Sequence, residues 1–180
     1  MLCTARTGHV VNHNIPTAVG NPRASARGGC QPGVDEDLLD RVANPEVSTE
    51  VLELKARAIA GRDVRGPFAV SDVGRLSNVD AIPQAADELV QLEGVTAVVV
   101  LGERDGTIHF SGRSRDDRVH MGETLGAALS TLREASAGGH ARMGGGQLSL
   151  REGAIETVAG ETVARDDLRE RLFDVMEGDV

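Results

Sequence analysis

The apolar positions of this chain fall into short runs whose period switches between that of a helix and that of a strand. Asp35, Glu36 and Asp37 open a helical turn, and Leu38, Leu39 and Val42 follow at helical spacing until Asn44-Pro45 stops them. Ser48 or Thr49 caps a second helix that carries Val51, Leu52, Leu54 and Ile59 and closes at Gly61. Residues 62–67 read as a connector. Residues 68–73 predict a strand, and residues 82–92 an amphipathic helix closed by Gly94. Residues 95–101 are nearly continuous in apolar and β-branched side chains, the pattern of a strand covered on both faces. Arg104-Asp105-Gly106 supplies a hairpin turn, and residues 107–113 alternate as the returning strand. A helix over 121–132 sets Leu125, Ala128, Leu129 and Leu132 on one side. Residues 137–146, AGGHARMGGG, read as a Gly-rich loop, 147–150 as a strand, 155–163 as a further strand and 166–176 as a closing helix.

That order predicts an α/β fold, a small mixed β-sheet with packed helices over residues 64–180, preceded by a helical connector over 35–63. Residues 1–34 stand apart. Arg6, Arg23 and Arg27 are their only formal charges, whereas all 28 carboxylates fall in the rest of the chain. Three readings fit this segment: a disordered or loosely held arm, a basic arm for nucleic acid, or a start that is not the native one.

Composition narrows the function. The chain has 180 residues, 2% aromatic content and neither Trp nor Tyr, so its core is aliphatic and it lacks the stacking platforms of single-strand binders. A net charge of −9 argues against a surface that coats DNA, so any phosphate recognition is local. Lys55 is the sole lysine; acidic, lysine-poor composition is similar to that of proteins from salt-loving archaea, and high genomic GC content favours Arg as well. No apolar run approaches 18 residues and no leader pattern is present, so the expectation is a soluble cytoplasmic protein without a membrane partner. Cys3 and Cys30 are too few for a disulfide framework, and with His9 and His13 they fit no zinc spacing.

Candidate chemistry gathers in two places. Residues 137–146 bracket His140 with five glycines, a composition that brings backbone N–H groups close to an anion while the imidazole adds a hydrogen bond or a charge. A tight turn with an incidental His fits the same residues. Ser111-Gly112-Arg113-Ser114 ends the returning strand, where the Arg113 guanidinium forms a planar fork suited to phosphate and the two serines offer hydroxyls. The alternative for Arg113 is a solvated salt bridge with Asp116 or Asp117. His109, in an alternating strand, and His120, near a helix start, have no metal-spaced partner and are read as structural.

A strand ending in S-x-R-S, about a dozen helical residues, then G-G-H in a Gly-rich stretch and another strand resembles the DHHA1 domain. This is the C-terminal substrate-binding domain of DHH-family phosphoesterases, which include RecJ-type single-strand exonucleases and oligoribonuclease/pAp-phosphatase enzymes. The resemblance covers residues 64–150, with Ser111, Arg113, Ser114, Gly138, Gly139 and His140 in the matching places. It implies that Arg113 pairs with a phosphate and that Gly138, Gly139 and His140 line the same pocket, facing a metal-bearing DHH domain. The implied ligand is a short single-stranded nucleic acid or nucleotide phosphate. The implied partner is a DHH catalytic domain; the oligomeric state stays open, with a homodimer as one option. Manganese or magnesium belongs to the complete DHH enzyme. The Asp-His-His triplet of the catalytic half is absent, Asn12-His13-Asn14 being the nearest approach, so this chain is expected to hold no cofactor of its own and to be inactive alone, as a truncated or remnant product. Two readings compete: a stand-alone anion-binding or regulatory domain, and a self-sufficient enzyme using His140 as acid or base.

Overall fold

The structure, a computed structural model, describes residues 47–178. The helix expected from Asp35, the 1–34 segment and the Cys3, His9, His13 and Cys30 group lie outside the described residues.

Helix α1, Thr49–Ala60, starts where Ser48 Oγ accepts the Val51 N–H at 3.3 Å. It buries Val51, Leu54 and Ala58, and Arg57 reaches the Val73 and Arg75 carbonyls of the neighbouring strand at 2.7 and 2.8 Å. Residues 62–67, expected as a connector, instead form a hairpin. Strand β1, Arg62–Arg65, pairs antiparallel with β2, Phe68–Arg75, around Gly66. With three charged residues in four, β1 lacks the apolar run that marks a strand in sequence, and charge suits its place at the sheet's edge.

Strand β2 leads through α2, Ala81–Leu89, to β3, Ala97–Arg104, which runs parallel to β2. A two-residue turn then returns the chain as β4, Thr107–Ser114, antiparallel to β3. Asp105 and Gly106 both take positive φ, 51° and 76°, as a type I′ turn requires. Helix α3, Met121–Leu129, follows, then β5, Ala135–Gly139, β6, Met143–Ser149, a small hairpin of β7, Ile155–Glu156, and β8, Thr162–Val163, and finally α4, Arg165–Glu177. The main sheet has the order β1-β2-β3-β4-β6-β5, the mixed sheet with packed helices that the sequence predicts.

Alternation along the strands divides the core in two. One face carries Ala69, Val73, Val98 and Val100 against α1 and α2; the other carries Val70, Val99, Leu101, Ile108, Phe110 and Leu148 against α3 and α4. Each of the larger of these side chains, removed from water, contributes about 1.5–3 kcal/mol before entropy is counted. Helix α4 is held further by Arg65, whose guanidinium bonds Glu170 at 2.5 and 2.7 Å and lies 4.3 Å from the Phe173 ring centroid. The Arg65 hydrogen bonds keep the Glu170 carboxyl below the usual carboxylate range.

The Gly-rich residues 137–146, expected as a loop, are mostly strand. They supply the end of β5 and the start of β6, leaving His140, Ala141 and Arg142 as the turn. The cause is tertiary. Helix α3 lies so close to the sheet that a methyl on Gly144 would stand 3.0 Å from the Met121 carbonyl oxygen and 3.1 Å from Leu125 Cδ1. One on Gly146 would stand 3.1 Å from Leu129 Cδ1, and one on Gly112 would run into the Met121 thioether. The stretch expected as a single strand over 155–163 is the β7–β8 hairpin, and the strand expected over 147–150 is the second half of β6.

Candidate functional site

Period-two alternation on β4 puts His109, Ser111 and Arg113 on one face, the face that α2 covers over β2 and β3. Across β6 they stand opposite Gln147, Gly145 and Met143, and across β5 the series continues to Ser136 and Gly138. Here the sheet face is open, with Ser136, Gly138, Met143, Gly145 and Gln147 all exposed. A cavity of about 400 Å³ lies between this floor and the wall made by Val79, Asp80, Ile82 and Pro83. Ser111, Arg113, Gly139 and His140 all line it.

Arg113 is held on three sides. Its Nε donates to Asp87 Oδ1 at 2.5 Å, and Nη1 donates to Ser111 Oγ at 3.1 Å and to the Gly112 carbonyl at 3.0 Å. Only 19% of its side chain is exposed, against 56% for Asp87. The guanidinium is thus preorganised and already faces a two-oxygen anion, the geometry that suits phosphate equally. The salt-bridge partner is Asp87 on α2, not Asp116 or Asp117. Asp116 pairs with Arg118 at 2.6 Å, and Asp117 with Arg142 at 2.7 Å. Hydrogen bonds from the Arg118 side chain and backbone hold the Asp116 carboxyl down at about 2.

His140 owes its place to the end of α3. The first N–H groups of that helix have no partner inside it. Met121 N–H donates to the Ala141 carbonyl at 3.0 Å and Gly122 N–H to the His140 carbonyl at 3.2 Å, while His140 N–H donates to the Met143 carbonyl at 2.7 Å. The turn is therefore clamped to the helix and the imidazole is left exposed at the cavity's rim. Gly139 takes φ 150°, and its backbone is so near Gly122 that a Cβ on the latter would sit 2.7 Å from the Gly139 carbonyl carbon.

Of the six residues expected at the site, Ser111, Arg113, Gly139 and His140 share this cavity. Gly138 lines an adjoining cavity of about 390 Å³ with Ser136, Gly145 and Gln147. Ser114 is apart from both. Buried, it donates its hydroxyl to the Asp116 carbonyl at 2.9 Å and accepts the Asp116 N–H at 3.1 Å, which shapes the turn after β4. His120 is structural as expected: Nδ1 accepts the Glu123 N–H at 3.2 Å and caps α3. The sequence did not place His109 on the cavity wall or Asp87 beside Arg113. The signal for His109 was the i, i+2, i+4 alternation it shares with Ser111 and Arg113; Asp87, 26 positions from Arg113, left no local signal.

Among the described residues, no three His, Cys, Asp or Glu side chains come together to hold a metal ion. Ser111 Oγ is engaged by Arg113 and has no base within hydrogen-bond reach among the described residues, so the lining offers no activated nucleophile. The cavity is lined by a fixed cation, a hydroxyl and an imidazole above a floor of backbone.

The DHHA1 domain profile matches residues 65–164. An uncharacterised protein of Methanocaldococcus jannaschii is 35% identical over 140 residues, covering 77% of this chain and 28% of that protein. The cyclic-di-AMP phosphodiesterase GdpP of Geobacillus thermodenitrificans is 32% identical over 151 residues, covering 81% of this chain and 20% of that protein. The chain thus spans less than a third of the length of these curated relatives. Among solved structures, an exopolyphosphatase-related protein from Bacteroides fragilis shares the fold with a TM-score of 0.59 at 15% identity, over 81% of this chain and 39% of that one. The C-Ala domain of Aquifex aeolicus alanyl-tRNA synthetase does so with a TM-score of 0.50 at 16% identity, over 65% of this chain and 98% of that one.

Proposed function

Since this chain belongs to the DHHA1 domain family, we propose that it is the phosphate-holding part of a nucleotide phosphoesterase of the DHH type. The observation that carries the reading is the convergence of Arg113, Ser111 and His140 on one cavity above bare backbone. Arg113 takes two phosphate oxygens in its fork, Ser111 adds a hydroxyl, and His140 closes from the rim. Asp87 holds Nε and Nη2 of that fork, and an arriving phosphate displaces it.

The ligand is a short single-stranded oligonucleotide or a nucleotide such as pAp, of the kind that oligoribonuclease and RecJ-like enzymes handle. A cyclic-dinucleotide product is a further candidate, suggested by the activity in the name of the Geobacillus relative. Hydrolysis requires a DHH catalytic half with manganese or magnesium. The present residues contain no Asp-His-His, so we assign the metal-dependent step to a DHH half and phosphate holding to this stretch.

Calorimetric titration with pAp and a short oligoribonucleotide, with manganese added in a parallel set, tests this. Binding without turnover, weakened about tenfold or more in Arg113→Ala and His140→Ala, supports it. Turnover by the isolated chain contradicts the division of labour, and binding unaffected by either substitution contradicts the site.

A further inference from the structure

Two residues along the strands from Ser111, the open face carries another row of polar side chains. His109 on β4 stands opposite Gln147 on β6, and Gln147 opposite Ser136 on β5. The row between holds Ser111, Gly145 and Gly138. A methyl on Gly138 would meet nothing within 4 Å, and one on Gly145 only the Phe110 carbonyl oxygen at 3.7 Å. Neither residue has positive φ. Neither packing nor backbone conformation among the described residues therefore calls for glycine at these two positions. Their effect is to keep the sheet bare, and Gly145 and Gly146 form a common floor to the two cavities.

We propose that the bare strip at Gly138 and Gly145 seats the nucleoside of the bound nucleotide, and that Gln147, His109 and Ser136 read its base. The proposal rests on the phosphate reading above, since it is Arg113 that fixes where the nucleoside begins. Each two-residue step along a strand covers about 6.6 Å, so the polar row lies about two such steps from Arg113, with the glycine strip between. A flat ring lies against exposed peptide planes with no side chain to lift it away. The Gln147 amide sets a donor beside an acceptor and so matches the paired groups on a base edge. His109 supplies a ring to stack on or a nitrogen to bond, and the Ser136 hydroxyl takes either role. The contribution is selectivity: a phosphate with no base attached meets Arg113 but leaves this row unused.

The test compares two probes on the folded chain, ribose 5-phosphate and the tightest-binding of the four nucleoside 5′-monophosphates, by NMR titration. The wild type is expected to bind the nucleotide about tenfold more tightly. Gln147→Ala and His109→Ala should each lower nucleotide affinity about three- to tenfold and leave ribose 5-phosphate unchanged. Gly138→Leu should erase the difference between the probes. Arg113→Ala should weaken both. If the probes bind the wild type equally, or if the row and strip substitutions leave the nucleotide preference intact while Arg113→Ala weakens both, the base-reading row is overturned and the phosphate site stands. If ribose 5-phosphate does not bind, or is indifferent to Arg113→Ala, the phosphate reading fails and takes this one with it. Should Gly138→Leu not fold, Gln147→Ala carries the test, because its side chain is exposed.

Discussion

Glycines on the two faces of the β4–β6–β5 half of the sheet are there for different reasons. On the covered face, Gly112, Gly144 and Gly146 let α3 settle against the strands, and any side chain would meet Met121, Leu125 or Leu129. On the open face, Gly138 and Gly145 touch almost nothing. The same residue type thus marks a close approach on one side and a vacancy on the other, and only the second is a candidate for binding. A Gly-rich stretch read as one feature conflates the two.

Substitutions separate them. The largest effect is expected at Gly122, whose Cβ would stand 2.7 Å from the carbonyl carbon and oxygen of Gly139. Helix propensity alone predicts that Gly122→Ala stabilises by about 1 kcal/mol, but the clash is with backbone, and overpacking of this kind costs about 1–3 kcal/mol. The clash wins, and urea denaturation should show a net loss. Next comes Arg113→Ala, expected to lower affinity for pAp about ten- to a hundredfold, as for the loss of hydrogen bonds to a charged ligand, with a loss of about 1–3 kcal/mol in stability because buried Ser111 is left without its partner. Asp87→Asn sharpens the same point: the fork loses its resident carboxylate, and phosphate affinity should rise in calorimetry.

Gly126→Ala, on the same helix as Gly122 but with nothing within 4 Å of its Cβ, should stabilise by about 0.5–1 kcal/mol. Opposite signs at Gly122 and Gly126 would show that contact, not propensity, decides on the covered face. Gly138→Ala should change stability by less than about 0.5 kcal/mol. A loss as large as that at Gly122 would mean that the open face is not open. The smallest effect concerns the turn between β4 and α3. Because the Arg118 bonds depress the folded-state value of Asp116, its contribution is present above the ordinary value of 3.8 and is lost as pH falls toward about 2. Thermal melts of wild type and Asp116→Asn should therefore converge as pH drops from 5 to 2.5.

Much of this was legible in the sequence. The apolar run of β3, the amphipathic period of α2 and the Asp105-Gly106 turn are local signals, and each element formed where its signal lay. The Gly-rich strands were not legible as strands, because glycine weakens the strand signal and the reason for it here is a helix that sequence does not place. Strand β1 was hidden by its charges, which an edge tolerates. At the site, Arg113, Ser111, Gly139 and His140 came from the motif they share with DHHA1 domains. His109 was weighed only for a metal-spaced partner, although the alternation of β4 already faces it the same way as Ser111 and Arg113. Asp87 needed the fold, since only the packing of α2 beside β4 brings it to Arg113.

The most direct test of the central claim is an amide-shift map of the chain titrated with pAp. The account predicts that the largest changes fall on Ser111, Arg113, Gly139 and His140, spreading to Gly138 and Gly145 on the open face, with the covered-face residues Leu125 and Leu129 little moved. Changes centred elsewhere, as in the cavity beside Arg118 and Met176, or no changes at all, would contradict it.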